Sequence, residues 1–437
     1  MIMAIIRPET EMKDSGVQWL GNVPKEWSVG KVKHEFYATK TIVGDKVNDY
    51  ERLALTLNGV IKRSKDAGDG LQPEKFDGYQ ILKEHELVFK LIDLANVSTS
   101  RVGLSPYTGI VSPAYIVLHH RKDMNPRYGE YYFLSMWMNE VFNHIGGDGV
   151  RSALNAKDLL NIPYLKVSSD EQQAIADYLD KTCSKIDEII AEAKASIDEY
   201  KELRLSVLTS ATTKGLSNDV KYKDSGSRWV DEIPSDWSKM KIHYIIDMPV
   251  IDGPHVSPEL VSEGVNYISA NAIVDGNIDF NKRRGYITRE YSNECRKRYS
   301  PQKNDILVVK LGASTGKMAM VEDFTDFDIW VPIAVVRCKK EVNAKYVYYS
   351  MSSKYFKDEI KDGWTFGTQE TLGVKTLESL YIFLPSRVEQ DEIVRYLDEQ
   401  LPKYDSLIAE KESLINDLEA YKKSLIYEVV TGKRRVV

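Results

Sequence analysis

The sequence predicts an α+β chain with an internal pseudo-two-fold repeat, in which two mixed α/β blocks are each followed by one long helix. Self-similarity is the first observation. Residues 13–27 (KDSGVQWLGNVPKEW) return as residues 223–237 (KDSGSRWVDEIPSDW), an offset of 210 that pairs Asp14 with Asp224, Trp19 with Trp229, Pro24 with Pro234 and Trp27 with Trp237. EQQAIADYLD at 171–180 returns as EQDEIVRYLD at 389–398, an offset of 218 that persists through Asp187/Asp405, Ser206/Ser424 and Thr213/Thr431. The third observation is the apolar spacing that follows each of these motifs. It recurs at sevens, which is a helix seam and not a strand.

Taken in order, residues 1–27 are the first repeat segment. Residues 28–165 form a block with strand-like runs LVFKL (87–91) and AYIVL (114–118) and a helical run YYFLSMWMNEVF (131–142). Residues 166–237 hold a long helix, 170–213, and the second repeat segment. Its seam runs through Leu179, Ile186, Ala193, Tyr200 and Val207, with Ile190 and Ile197 between them and Arg204 as an interruption. The run Ser169-Asp170-Glu171 supplies a cap and early carboxylates, and Gly215 marks the end. Residues 238–383 repeat the block plan, with strands ILVVK (306–310) and IAVVRC (333–338) and a helical run KYVYYSMSSKYF (345–356). Gly149/Gly367, Leu154/Leu372 and Leu159/Leu377 align the ends of the two blocks. Residues 384–437 hold the second long helix, with Leu401, Ile408 and Ile415 and also Leu407, Leu414 and Tyr421 at sevens, Lys411 as an interruption and Gly432 at its end. A helix of some 40 residues extends about 60 Å and needs a partner; the other copy is the expected one.

A chain of 437 residues has room for two or three domains. Net charge is −6, with a pI near 5.8, which excludes a uniformly cationic phosphate binder. The excess acid lies outside the two blocks. Residues 28–165 carry 17 basic and 16 acidic residues, and residues 238–383 carry 20 and 19, so local basic patches are open to both. Cys183, Cys295 and Cys338 lie far apart in sequence, and neither a disulfide framework nor a C-x-x-C metal site is suggested. The apolar start, Met1 to Ile6, is too short to span a bilayer, and a cytoplasmic location is expected.

In its paired KDSG-x-x-W…P-x-x-W segments, its EQ-x-x-I-x-x-YLD helix starts and its ending Tyr421-Lys-Lys-Ser-Leu-Ile-Tyr-Glu-Val-Val-Thr-Gly432, the chain resembles the specificity subunits of type I restriction-modification systems. The resemblance covers essentially the whole length. It implies two target recognition domains, each reading one half of a split DNA sequence, separated by two long helices packed antiparallel as a spacer. It also implies partners: double-stranded DNA, two methyltransferase subunits that use S-adenosylmethionine, and two restriction/translocase subunits that use ATP and magnesium. No cofactor and no catalysis are expected of this chain. One departure from a strict repeat is the helix end, Thr212-Thr-Lys-Gly215 in one copy and Val430-Thr-Gly-Lys433 in the other.

The residues themselves offer no complete catalytic motif. Asn161-Ile-Pro-Tyr164 lacks the first proline of an Asn-Pro-Pro-Tyr adenine-binding loop, and a strand leading into the helix is expected there. Gly312-Ala-Ser-Thr-Gly-Lys317-Met318 has three residues between its glycines where a phosphate loop needs four, and Met follows the lysine. A glycine-rich turn is expected, with Lys317 available to a DNA phosphate. Asp305 and Lys310 bracket a strand, but Val308 stands where a nuclease would need a second carboxylate. His119 and His120 follow a strand and are expected to face solvent.

Binding is what remains. Lys62, Arg63 and Lys65 in the first block, and Lys282, Arg283, Arg284, Arg296, Lys297 and Arg298 in the second, are dense enough to neutralise phosphates. Arg151 and Gln369 occupy matching positions at offset 218. They are candidate base readers, since Arg bonds guanine and Gln bonds adenine bidentately in the major groove. A scaffold that binds only proteins is the competing reading, and salt-dependent binding to duplex DNA separates the two.

Overall fold

The computed structural model describes residues 3–65, 75–92, 94, 101–121, 123–145, 153–217, 219–322, 326–363 and 371–437. The chain divides into two compact units. Unit 1 is Met1–Ala193 with Ser413–Val437, and unit 2 is Lys194–Glu412. Both long helices form, Ser169–Lys214 and Arg387–Val430. Each unit contains one block, the start of the helix that follows it and the end of the other helix.

In unit 1 two four-stranded sheets carry the block. One runs Val102–Leu104, Leu87–Phe89, Ile116–His120, Phe36–Ala38, antiparallel throughout. The other runs Gly59–Arg63, Arg52–Thr56, Gly109–Val111, Gln80–Leu82. Leu53, Leu55, Val60, Leu82, Val88, Val111 and Val117 close a core between them. Asn125 caps the helix Pro126–Met138 by accepting from the Arg127 and Tyr128 amides, and proline at the first helical position needs no donor there. This helix buries Tyr128, Tyr132, Phe133 and Met136, so the aromatic stripe is core. The ends of the block meet, Ser28–Lys31 pairing with Pro163–Lys166.

Unit 2 repeats this plan with different strands. Ile251–Asp252, Ile333–Val336, Ile306–Val309 and Met318–Met320 form one sheet, and Gly285–Ile287, Val265–Ile268 and Phe327–Ile329 another. Ile306–Val309 is buried at all four positions, as an uninterrupted apolar run demands of a central strand. Asn343 caps Ala344–Ser352 as Asn125 does in unit 1, and Ser238–Lys241 pairs with Tyr381–Leu384 to close the block.

The repeated motifs are the joints between block and helix. The Trp27 indole donates to Glu171 at 2.9 Å and that of Trp237 to Glu389 at 3.1 Å. The Asn125 amide donates to the Gln172 side chain at 2.9 Å and that of Asn343 to Gln390 at 2.8 Å. Tyr131 donates to Asp180 at 2.7 Å, and Tyr349 to Asp398 at 2.5 Å. The shared glutamate, glutamine and aspartate of the two EQ…YLD runs therefore bind the repeat segment and block of their own unit.

Within each unit the helix segments pair through one cross-helix ion pair, Asp187–Lys422 at 2.6 Å in unit 1 and Arg204–Asp405 at 2.7 Å in unit 2. Leu208 shares a core with Leu401 beyond Arg204–Asp405, so the two segments run antiparallel. The seam is narrower than the sequence spacing suggests. Leu401 and Ile415 are buried, but Leu407, Leu414 and Tyr421 are 38%, 38% and 47% exposed. They sit one residue before 408, 415 and 422, about 100° round the helix, and so miss the partner.

The helix ends differ between units in one respect. After Gly215 the chain runs on into the hairpin Tyr222–Asp224/Glu232–Pro234 of the same unit. After Gly432 the equivalent hairpin, Met12–Asp14/Asn22–Pro24, belongs to the other end of the chain. Unit 1 makes this joint without a covalent link. Ala4–Ile6 pairs with Arg434–Val436, the Lys433 ammonium donates to the Leu20 and Asn22 carbonyls, and the buried Arg7 guanidinium reaches Glu26 at 2.8 Å and Glu171 at 2.9 Å. Both helix-ending glycines have φ of +74°, the left-handed turn that ends a helix without a Cβ penalty.

Candidate nucleic-acid interface

The glycine-rich run 312–317 is the turn of a hairpin between Ile306–Val309 and Met318–Met320. Gly312 and Gly316 adopt φ of +81° and +88°, and the turn closes by Gly316 N–H to Val309 at 2.8 Å and Thr315 N–H to Gly312 at 2.9 Å. No helix follows it, so it is not a phosphate loop. Lys317 is exposed at its end.

Opposite this turn lies the short helix Ala270–Ala272 and the tight hairpin Ile273–Val274/Asn277–Ile278. Together they enclose a hollow of about 530 Å³ lined by Asn271, Lys282, Ser314 and Lys317 on its polar side. Lys282 and Lys317 were separate candidates in the sequence, and the fold brings both to this surface. Lys282 lies 3.7 Å from Asp279, a loose pairing that leaves its charge available, and Lys317 forms no ion pair or side-chain hydrogen bond among the described residues. Two ammonium groups with an amide and a hydroxyl between them can bind a phosphodiester: charge for the anion, neutral donors for its oxygens.

The other cationic candidates are placed differently. Arg296 is tied to Asp326 and to Asp328, at 3.3 Å for the latter. Burial works to raise the Asp326 pKa, but hydrogen bonds from Arg289 and Arg296 outweigh it and hold the carboxyl below its ordinary range. Lys297 pairs with Glu294 at 2.6 Å and Arg298 with Asp252 at 3.3 Å. The 296–298 cluster is thus largely neutralised by its own unit. Arg283 stacks on Tyr286 at 4.4 Å, and Arg284 lies 3.3 Å over Trp330 and donates to Ser257. In unit 1, Lys62 pairs with Glu51 at 2.6 Å, Lys65 donates to the Val47 carbonyl at 2.6 Å and Arg63 ends the strand Gly59–Arg63. Arg151 and Gln369 lie outside the described residues.

Three other readings of the sequence resolve in the structure. Asn161 ends the helix Ala156–Asn161 and Tyr164 is buried in the strand Pro163–Lys166, which leads on into the long helix, so this run holds no base. Asp305 is fully buried, accepting twice from Arg337 at 2.7 Å and once from Tyr299 at 2.8 Å, while Lys310 pairs with Asp252 at 2.9 Å. These are structural ion pairs. His119 does not face solvent: its Nδ1 lies 2.5 Å from Glu86, its Nε2 2.7 Å from the Thr39 hydroxyl, and its ring stacks on Tyr37. The expectation failed because both partners come from residues flanking other strands, 33 and 80 residues away. Among the described residues no group of three His, Cys, Asp or Glu could hold a metal, and no helix is long and apolar enough to cross a membrane.

Comparison with known proteins gives a consistent picture. Residues 234–420 match the family model described as the type I restriction modification DNA specificity domain. The chain is 26% identical over 272 residues to the type I restriction enzyme EcoBI specificity subunit of Escherichia coli, covering 60% of this chain and 56% of that relative's length. It is 22% identical over 442 residues to a protein of Methanocaldococcus jannaschii named putative type I restriction enzyme MjaX specificity subunit, covering 95% and 96%. A solved chain from work on complex assembly and conformational transition of the type I R-M system matches with a TM-score of 0.68 at 14% identity, over 94% of this chain and 99% of that one. That last likeness speaks to the fold.

Proposed function

We propose that the chain is a specificity subunit of a type I restriction-modification system, as its likeness to that family model and to proteins of that name suggests, and that it reads a bipartite target on double-stranded DNA and brings methyltransferase and restriction subunits to it. The observation that carries this reading is the duplicated joint. The same Trp–Glu, Asn–Gln and Tyr–Asp bonds fix two blocks of unlike sequence to the two helix starts. A frame kept constant while its blocks diverge suits a device that reads two different half-sites. The relatives are named as specificity subunits and not as methyltransferases or nucleases, in keeping with a role in which chemistry lies on partners. S-adenosylmethionine, ATP and magnesium would act on those partner subunits, two methyltransferase and two restriction/translocase chains per assembly.

Partner docking has a place in this reading. The exposed residues Leu407, Leu414 and Tyr421 form a heptad stripe on the second helix, and Ile189 and Leu203 stand 218 residues before Leu407 and Tyr421 and are also exposed. An unpaired apolar stripe at sevens accepts another helix by coiled-coil packing.

The test is methylation mapping at single-molecule resolution in a host carrying the full system. Exchange of residues 238–383 for the corresponding block of another specificity subunit should change one half of the modified sequence and leave the other half intact. A change in both halves, or in neither, contradicts the reading. A protein-only scaffold predicts no duplex binding by the chain with or without a methyltransferase subunit.

A further inference from the structure

Beside the Lys282/Lys317 hollow, and sharing Ile273, Ser314 and Lys317 with it, unit 2 contains a larger cleft of about 1200 Å³. Its cations are Lys201, Arg204, Lys317, Lys357 and Lys361. Arg204 is matched by Asp405 at 2.7 Å, and Lys361 reaches Asp358 only at 3.8 Å. Lys201, Lys317 and Lys357 have no ion pair or side-chain hydrogen bond among the described residues. The pKa of Lys357 is held below its ordinary value, first by burial and then by the like charges of Arg204 and Lys361. Its charge is uncompensated, and an incoming anion would relieve it. Glu202, Asp275 and Glu412 also line the cleft, so attraction would come from particular unpaired ammonium groups and not from net charge.

The repeat supplies an internal comparison. The ion pair that belongs to the frame recurs in both units, Arg204–Asp405 and Lys422–Asp187. The other cations of the cleft do not recur. At the offset of 218, Lys357 and Lys361 correspond to Asn139 and Asn143, and Lys201 corresponds to Glu419. The frame folds without these lysines in unit 1, so folding does not require them in unit 2.

We propose that this cleft receives the phosphodiester backbone of a DNA strand continuing from the Lys282/Lys317 hollow, with Lys317, Lys357 and Lys361 as its phosphate contacts. The inference rests on the DNA-reading function above and adds to it a sequence-independent grip peculiar to unit 2. Lysine suits the task, being a point charge that accepts any phosphate geometry. The lysine pair 357 and 361 lies at i and i+4 on the helix Lys354–Asp362, and both side chains line the cleft.

The experiment measures binding of the full chain to a random-sequence duplex of about 40 base pairs by fluorescence anisotropy between 50 and 200 mM KCl. Each neutralised phosphate contributes about 0.9 to the slope of log affinity against log salt. Lys357→Gln with Lys361→Gln should lower that slope by about 1.8, so that the loss of affinity across this range becomes about 12-fold smaller. Lys357→Arg with Lys361→Arg should restore it, and Lys181→Gln, on an exposed face in unit 1, should leave it unchanged. Duplex binding with an unaltered slope in the double Gln variant overturns this inference and leaves DNA reading intact. Failure of the unaltered chain to bind duplex at any salt overturns the DNA reading and the inference with it. Competition by a polyglutamate peptide that depends on Lys357 and Lys361, with the duplex slope unchanged, assigns the cleft to an acidic protein segment and also overturns it.

Discussion

Glu171 and Glu389 occupy equivalent positions in the repeat, yet the same substitution should affect them differently. Glu171 accepts from the Trp27 indole on one oxygen and from the Arg7 guanidinium, at 2.9 Å, on the other. Arg7 is only 3% exposed, and its other partners are the 54%-exposed Glu26 and, at 3.7 Å, Glu11. Among the described residues Glu389 accepts from Trp237 alone, and burial raises its pKa despite that bond, with Asp236 and Glu392 adding to the shift. Glutamine keeps an acceptor for either tryptophan and removes the charge. At 171 this discards a charge-assisted bond to a buried cation, a loss of about 1.5–3 kcal/mol, to be taken near the lower limit because Glu171 is 30% exposed. At 389 it removes a carboxylate that burial disfavours, with an expected change within about 0.5 kcal/mol.

Hydrogen exchange followed by mass spectrometry reads this directly, since local opening rates change tenfold per 1.4 kcal/mol. In Glu171→Gln, peptides over the hairpin 12–24 should exchange about tenfold faster. In Glu389→Gln, peptides over 222–234 should stay within about twofold. Equal acceleration at both hairpins, or none at 12–24, refutes the argument that unit 1 depends on ionic bonds where unit 2 has chain continuity.

Other consequences can be checked independently. The hydrogen bond that His119 donates to the Glu86 carboxylate raises the His119 pKa above its ordinary 6.5, while burial opposes it. Burial works to raise the Glu86 pKa, but His119 and the Lys83 amide outweigh it and leave it lowered. The histidine contribution to stability is therefore full below pH 6.5 and lost as pH rises through its folded pKa; the carboxylate contribution is lost as pH falls through its own. NMR titration should place His119 above 6.5, and Glu86→Gln should bring it back; a value at or below 6.5 in the unaltered chain contradicts the pairing. Gly432→Ala should lower the melting temperature more than Gly215→Ala, since both incur about 1–2 kcal/mol from left-handed backbone but only at Gly432 would the new Cβ overlap Pro24 and Trp27; equal shifts would count against the Gly432 joint. Leu407→Asp with Leu414→Asp should leave thermal stability within about 0.5 kcal/mol and weaken co-purification with methyltransferase subunits at least tenfold. Undiminished co-purification would remove the stripe from the docking surface.

Much of the frame was legible in the sequence because it is written twice. The long helices, the Trp-Pro-Trp segments and the EQ…YLD starts stood out by repetition, and the strands at 306–309 and 333–336 by unbroken apolar runs rich in β-branched residues. What repetition could not say was why Glu171, Gln172 and Asp180 recur; their partners Trp27, Asn125 and Tyr131 are 144, 47 and 49 residues away. The candidate interface was legible only as charge density. Density drew attention to Arg296, Lys297 and Arg298, whose carboxylate partners include Asp252, Asp326 and Asp328 on distant strands. It overlooked Lys201, Lys357 and Lys361, which are spread singly along helices beside acidic neighbours. The i, i+4 spacing of Lys357 and Lys361 on 354–362 was the available signal, but whether a lysine has a partner depends on packing, which a linear count does not contain. The double series of sevens on the second helix likewise left open which one faces a partner.

The central proposal is that the length of the two long helices sets the gap between the two half-sites read in the DNA target. Four residues inserted into each long helix, within 190–200 and within 408–418, add about one turn, or ~6 Å, to each. Methylation mapping in a host expressing the full system with this variant measures both the bases read and their separation. The account predicts the same bases in both halves with a gap longer by one or two base pairs, at about 34 Å per ten. The same modified site with an unchanged gap contradicts it.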